Sequence, residues 1–79
     1  MHFFTPVNFR DEKILSSFGK NLQQLRRRQN FTQEELAYNS GISLSQIARI
    51  ETGKINPTVC TLIVIAKTLK IKPTELMDF

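Results

Sequence analysis

The apolar positions of the chain recur from residue 11 onward with the spacing of an α-helix rather than of a strand. The first stripe of such positions comprises Ile14, Leu15, Phe18, Leu22 and Leu25. Acidic residues at its start and three arginines at residues 26–28 both suit the helix dipole. Asn30 tolerates the left-handed backbone that often ends a helix. The pattern therefore predicts a first helix that begins at Asp11 and closes with the arginines.

Two shorter helical patterns follow, and each opens with a start signal. Thr32 and Glu35 have the spacing of a capping box, in which each side chain binds the other residue's backbone N–H. Ser43 and Gln46 have the same spacing and predict a second capping box. Gly41 lies between the two patterns and can take the left-handed conformation without a Cβ penalty. The sequence thus predicts two short helices joined by a tight turn.

Apolar residues flank both starts in the arrangement of hydrophobic staples. Phe31 and Leu36 form the first such pair, and Ile42 and Ile47 form the second. Two helices held at a steep angle by a turn of three to four residues make a helix-turn-helix, whose second helix fits the DNA major groove. This motif is predicted at about residues 33–52.

Two further helical patterns complete the chain. A fourth helix is predicted to start at Pro57-Thr58, because Thr58 is a good N-cap and Pro57 holds Asn56 in an extended conformation. Pro73 fits the first position of a short fifth helix. Five helices without a strand signal predict an all-α domain at residues 11–79, with residues 1–10 as an N-terminal extension.

Size and charge narrow the class of protein. Seventy-nine residues are enough for one small domain. Eleven Lys and Arg against seven Asp and Glu give a net charge of +4, which suits a polyanionic partner but is common among small domains without one. No apolar run reaches the roughly 18 residues of a membrane helix, and the N-terminus lacks a signal-peptide layout. The sequence predicts a cytoplasmic protein with no membrane partner.

The residues that enzymes need are scarce. The only histidine, His2, has no cysteine or acidic residue near it in sequence, and the three glycines stand apart rather than in a phosphate-binding loop. The single cysteine, Cys60, lies among apolar neighbours at the start of the fourth helix, which favours a buried, inert thiol over a reactive one. We therefore predict no enzymatic activity, no metal, no cofactor and no small-molecule ligand.

The second helix of the motif carries side chains that suit base edges. Ser45 and Gln46 can donate and accept hydrogen bonds, Arg49 suits the two acceptors of guanine, and Leu44 can contact a thymine methyl group. The alternative interpretation is a solvated polar face on which Gln46 only completes the cap to Ser43. The residue types leave both interpretations of Gln46 open.

Other polar residues are placed to contact the phosphate backbone instead of the bases. Gln33 opens the first helix of the motif, where backbone N–H groups can also bind an anion. Thr52, Lys54 and Asn56 follow the second helix as a polar loop. The arginine run at residues 26–28 is consistent with a solvated helix end, so we do not assign all three arginines to DNA.

Several short motifs stand at fixed spacing along the chain. They are L-x-x-L-R at 22–26, T-Q-E-E-L-A at 32–37, G-I-S at 41–43, I-x-R-I-E-x-G-K at 47–54, N-P-T at 56–58 and L-x-x-x-A-x-x-L at 62–69. With these motifs, the chain from Phe18 to Phe79 resembles the phage-repressor type of helix-turn-helix domain, the XRE or Cro/CI family. The resemblance implies a five-helix lambda-repressor-like fold, with the third helix in the major groove and dimers that read palindromic operators.

The resemblance also assigns roles to residues. Arg26 and Glu51 match a pair that forms a buried salt bridge in phage repressors. Two positions depart from the family pattern, because Asn30 stands where glycine is usual and Leu44 where a polar residue is frequent. The residues implied to lie nearest the DNA are Gln33, Ser43, Leu44, Ser45, Gln46, Arg49, Thr52 and Lys54.

The sequence supports two hypotheses about function. The first is a sequence-specific transcriptional regulator that binds double-stranded DNA as a homodimer through helices four and five, similar to stand-alone members such as restriction-modification controller proteins. The alternative is an antitoxin or adaptor whose main partner is another protein. Either role would use the surplus apolar residues Val59, Ile63, Val64, Met77 and Phe79. Three phenylalanines of the extension are expected to pack on the domain or on a second subunit: Phe3, Phe4 and Phe9.

Overall fold

The computed structural model describes residues 10–79, so the predicted packing of Phe3, Phe4 and Phe9 lies outside the described residues. The described part consists of five α-helices joined by short turns, and it contains no strand. The helices are α1 (Glu12–Arg28), α2 (Gln33–Ser40), α3 (Leu44–Glu51), α4 (Val59–Leu69) and α5 (Pro73–Leu76). The predicted all-α, five-helix fold is confirmed.

Side-chain caps begin α2 and α3, as the sequence predicted. Thr32 and Glu35 form a complete capping box, with bonds of 3.0 and 2.9 Å between each side chain and the other backbone N–H. At the start of α3, Ser43 Oγ accepts from the N–H of Gln46 at 3.1 Å. Within residues 10–79 the Gln46 side chain makes no return bond, so the prediction of a second complete capping box was wrong. The cap therefore leaves the Gln46 amide group unused.

Left-handed residues end several helices. Asn30 has φ of 60° and Gly41 has φ of 75°, which confirms the two predicted stops after α1 and α2. Lys70, at the end of α4, has φ of 56° and was not predicted. A lysine has a Cβ that disfavours this conformation, so nothing in its residue type indicated the stop.

The core is formed by apolar side chains from all five helices. α3 packs against both α1 and α2, and α4 packs against α2 and α5. This arrangement surrounds the inner side of α3 and leaves its outer side in solvent. The most deeply buried side chains are Leu22, Leu36, Ile47, Ile50, Ile65, Leu69 and Leu76.

Two apolar residues lie outside this core, contrary to the sequence interpretation. Ile14, assigned to the first stripe, is 53% exposed because it lies near the start of α1, at the rim of an apolar groove rather than under a helix. Cys60 is exposed and not buried. At about 100° per residue, Cys60 lies roughly 160° around α4 from Leu62, which packs on the core.

The end of α3 rests directly on the backbone of α1 at Gly19. A Cβ atom added there would overlap the carbonyl oxygen of Glu51 and would lie 2.5 Å from that of Ile50. Both neighbours are backbone atoms, so neither can rotate away. Gly19 therefore permits the close crossing that fixes the position of α3.

Replacing Gly19 with alanine is expected to lower the free energy of unfolding by about 1–3 kcal/mol, because the two helices must separate. This net loss is expected although alanine favours a helix interior over glycine by about 1 kcal/mol. Thermal unfolding followed by circular dichroism measures the effect, and a loss of 1 kcal/mol corresponds to roughly 4–8 °C in a domain of this size. Ser17→Ala, at an exposed position of α1, is the control. Equal melting temperatures for the two variants would contradict the close crossing.

Candidate nucleic-acid interface

α3 has one buried side and one exposed side. Ile47 and Ile50 anchor it from behind, with 0% and 1% of their surface exposed. Leu44, Ser45 and Arg49 are exposed on the opposite side. With about 100° per residue, these three lie within one continuous sector of roughly 140°. The structure thus brings together, on a single face, the residue types that the sequence analysis selected for base contacts.

Gln46 lies at the edge of this face and is half-buried. Its backbone N–H is used by the Ser43 cap, whereas its side-chain amide makes no hydrogen bond within the described part of the chain. The interpretation in which this side chain only completes the cap is therefore disfavoured. A role for Gln46 at base edges stays a prediction.

The loop after α3 is held in place by hydrogen bonds. Thr52 Oγ1 donates to the carbonyl of Ala48 at 3.0 Å, so its hydroxyl proton caps the last turn of α3. The N–H of Lys54 donates to the carbonyl of Arg49 at 2.8 Å, and the Lys54 side chain is exposed. The ammonium group of Lys54 consequently extends from an ordered loop next to the outer face of α3.

Arg10 also lies at this loop, which the sequence analysis did not foresee. Its Nη2 donates to the carbonyl oxygen of Lys54 at 2.8 Å, and its Nε is 3.6 Å from the carboxylate of Glu12. The contact joins residues 44 positions apart, so no local pattern in the sequence indicates it. It places a second cationic side chain beside Lys54.

A buried ion pair connects α1 to the end of α3. Arg26 Nε lies 2.6 Å from Glu51 Oε2, and Arg26 Nη2 lies 3.0 Å from Glu51 Oε1. The two side chains are 7% and 1% exposed, which confirms the buried pair that the resemblance implied. Arg26 Nη1 also donates to the carbonyl of Phe31 at 2.7 Å. The bidentate geometry fixes both planar groups.

Gln33, the first residue of α2, takes part in the same network. Its Nε2 donates to Glu51 Oε1 at 3.0 Å, and its side chain is half-buried. From the sequence, Gln33 was predicted only as a phosphate contact, and its bond to Glu51 was not predicted. A glutamine at the start of one helix and a glutamate at the end of the next carry no signal that they meet.

A second surface, separate from the outer side of α3, is apolar. A groove between α1, the start of α4 and the C-terminus is lined by Ile14, Phe18, Pro57, Leu62, Met77 and Phe79. The ring of Phe79 meets that of Phe18 edge to face, with 6.0 Å between centroids. On α4 itself, Val59 and Val64 are 74% and 37% exposed.

Two other kinds of site are not found among the described residues. Among residues 10–79, no group of His, Cys, Asp and Glu side chains is arranged to hold a metal ion. None of the five described helices is both long enough and apolar enough to cross a membrane.

Comparisons with known proteins agree with this architecture. The helix-turn-helix family model HTH_3 matches residues 22–76. The chain is 41% identical over 59 residues to an HTH-type transcriptional regulator, y4dJ, of Sinorhizobium fredii, covering 75% of this chain and 77% of that protein. It is 33% identical over 63 residues to the control protein C.BamHI of Bacillus amyloliquefaciens, covering 78% of each.

Solved structures give the same result. The restriction-modification controller protein C.AhdI of Aeromonas hydrophila superposes with a TM-score of 0.77 and 35% identity, over 78% of this chain and 94% of that one. The chain spans less than half the length of the longer curated regulators that it also matches. The sequence motifs, the five helices and these matches lead to one conclusion: the chain belongs to the XRE-like helix-turn-helix family.

Proposed function

We propose that this protein is a transcriptional regulator that binds double-stranded DNA sequence-specifically, with α3 in the major groove. The observation that carries the proposal is the exposed face of α3. There Ser45 and Arg49 point into solvent while Ile47 and Ile50 fix the helix from behind. A helix with a rigid inner side and hydrogen-bonding groups on its outer side is what direct readout of base edges requires. Such a regulator would act in the cytoplasm, where its DNA is.

The eight candidate residues fall into two groups under this proposal. Those on the outer side of α3 would face base edges, and those at the helix starts and in the loop would contact the phosphate backbone. A phosphate contact by Lys54 is supported by the hydrogen bonds that order its backbone at both the N–H and the carbonyl. The first group comprises Leu44, Ser45, Gln46 and Arg49, and the second comprises Gln33, Ser43, Thr52 and Lys54. To donate to a phosphate, the Thr52 hydroxyl would turn away from the carbonyl of Ala48.

A titration of a fluorescently labelled random duplex, followed by anisotropy over a salt series, tests the DNA-binding part of this proposal. The dissociation constant is expected to rise steeply with salt, because each neutralised phosphate releases a counterion. An anisotropy that does not change with protein concentration, even at low salt, would refute DNA binding.

The proposal includes a homodimer through α4 and α5 that reads a palindromic operator. The supporting observation is exposed apolar surface on α4 and directly after α5, where Val59, Met77 and Phe79 are between 51% and 74% exposed. A small domain seldom leaves such a surface in water, and a two-fold dimer would bury it symmetrically. In that dimer the two copies of α3 would lie about 34 Å apart, matching half-sites roughly 10 base pairs apart.

The dimer is expected to dissociate when Val64 is replaced by lysine. The two-fold axis would bring two added cations into an apolar interface, where unpaired charges are strongly unfavourable. Sedimentation or light scattering at micromolar concentration should then report the mass of a monomer. Gln29→Lys adds the same charge at an exposed position at the end of α1 and should leave the dimer intact.

A wild-type chain that is monomeric at high micromolar concentration would contradict the homodimer. That result would favour the alternative hypothesis, in which an antitoxin or adaptor presents the same apolar surface to a different protein.

A further inference from the structure

We infer that Glu51 is a positioning residue for the DNA contact at the start of α2 and that it acts through Gln33. The inference rests on the proposed DNA-binding function. Its basis is the hydrogen bond from Gln33 Nε2 to Glu51 Oε1, which joins the first residue of α2 to the last residue of α3. Glu51 touches no DNA in this arrangement, because it is only 5% exposed.

The chemistry of the two groups fixes which end of the amide is available. A primary amide has two N–H donors on nitrogen and an acceptor oxygen, whereas a carboxylate only accepts. Gln33 must therefore turn its nitrogen toward Glu51, since the opposite orientation would place two acceptor oxygens in contact. One N–H binds Glu51, and the other remains for an anion outside the protein. A phosphate oxygen is such an acceptor.

The carboxylate that orients Gln33 is itself immobile. Arg26 holds both of its oxygens, and Arg26 is held in turn by the carbonyl of Phe31. Within the described residues, no buried side-chain nitrogen or oxygen lacks a hydrogen-bond partner, so every buried polar atom of the network is held in place. The network consequently fixes the position of the start of α2, which would contact the phosphate backbone, relative to the outer side of α3, which would contact the bases.

A double-mutant cycle on DNA binding tests the coupling. Gln33→Ala is made in the wild type and in a background that carries Arg26→Met and Glu51→Leu, which removes the acceptor and leaves no unpaired charge. In the wild type, Gln33→Ala should weaken binding to a random duplex about tenfold, as expected for a lost hydrogen bond to a charged group. In the apolar background it should change binding by less than about twofold, because Gln33 there lacks the acceptor that orients it. The difference between the two factors would exceed the roughly twofold deviation that independent substitutions usually show.

Gln24→Ala, at an exposed position of α1, should leave binding unchanged in both backgrounds. If Gln33→Ala weakens binding by the same factor in both backgrounds, Glu51 does not position Gln33. If Glu51 had only a structural role, its replacement would lower the stability of the domain, but Gln33→Ala would still weaken binding by the same factor in both backgrounds. All measurements are made at a temperature at which circular dichroism shows each variant to be folded.

Nuclear magnetic resonance of the wild-type chain gives a second test that needs no variant to fold. The side-chain NH₂ protons of Gln33 should exchange with solvent more slowly, and differ more in chemical shift, than those of exposed Gln24. Matching behaviour of the two amides would overturn the inference even if the apolar background is unfolded. If the wild type binds no DNA, the proposed function fails, and the amide measurement still decides whether Glu51 holds Gln33.

Discussion

Replacing Glu51 with alanine is expected to lower the free energy of unfolding by about 3–5 kcal/mol, because the change leaves a buried charge without a partner. Arg26 would keep its guanidinium in a site where 7% of the side chain reaches water. Gln33 would lose its acceptor as well. Domains of this kind are stable by only about 5–15 kcal/mol, so the loss is a large fraction of the total.

Urea denaturation followed by circular dichroism measures this effect. The double variant with Arg26→Met and Glu51→Leu is the matched control, since replacing both charges with apolar groups of similar size is often neutral or stabilising. The double variant should therefore be clearly more stable than Glu51→Ala alone. A single variant within about 1 kcal/mol of the wild type would show that the pair behaves as an exposed surface pair, contrary to its burial.

Replacing Arg49 with alanine is expected to weaken binding to the cognate operator by about 1–3 kcal/mol and to relax the preference at one base pair. The reason is that Arg49 lies on the exposed side of α3, and its guanidinium can bind the two acceptors of a guanine at once. The ratio of affinities for operator and scrambled duplexes should fall accordingly. Titration of both duplexes under identical salt conditions measures this ratio.

Lys54→Ala provides the comparison, because its exposed side chain extends from the loop beyond α3, where the phosphate backbone would be the nearest part of the DNA in the proposed complex. It should weaken binding to operator and random DNA alike. It should also flatten the slope of log affinity against log salt by about one unit per subunit. A specificity ratio that changes in Lys54→Ala and not in Arg49→Ala would contradict the proposed orientation of α3.

The helix boundaries were predictable because they depend on local chemistry. Thr32 and Thr58 cap the helices that follow them through bonds to residues three positions away. Asn30 and Gly41 adopt the left-handed conformation that their residue types tolerate. Pro73 begins α5, as its fixed φ and missing N–H favour. Each of these signals lies within a few residues of the structure that it determines.

The side of α4 that faces the core was less predictable. Apolar residues surround much of this helix, so its periodicity did not indicate which side is buried. The buried residues are Ile65, Ala66 and Leu69, while Val59 and Cys60 on other sides are exposed. The helices that pack against α4, and not its own composition, decide the outcome.

Contacts between residues far apart in the sequence could be predicted only in part. The Arg26–Glu51 pair was found through its resemblance to a family pattern, since the residues are 25 positions apart. The hydrogen bonds from Gln33 to Glu51 and from Arg10 to Lys54 were not predicted, because neither residue type nor spacing in the sequence indicates them. The candidate interface was therefore predicted as a set of outward residues, whereas the network that orients them required the structure.

Selection of bound duplexes from a randomised pool, followed by sequencing, tests most directly the central claim that α3 reads DNA sequence. The wild-type chain should enrich a two-fold symmetric sequence with half-sites roughly 10 base pairs apart, centre to centre. Arg49→Ala should enrich a sequence that is relaxed at one symmetric pair of positions. A wild-type pool with no shared sequence after repeated rounds would contradict sequence-specific recognition by α3.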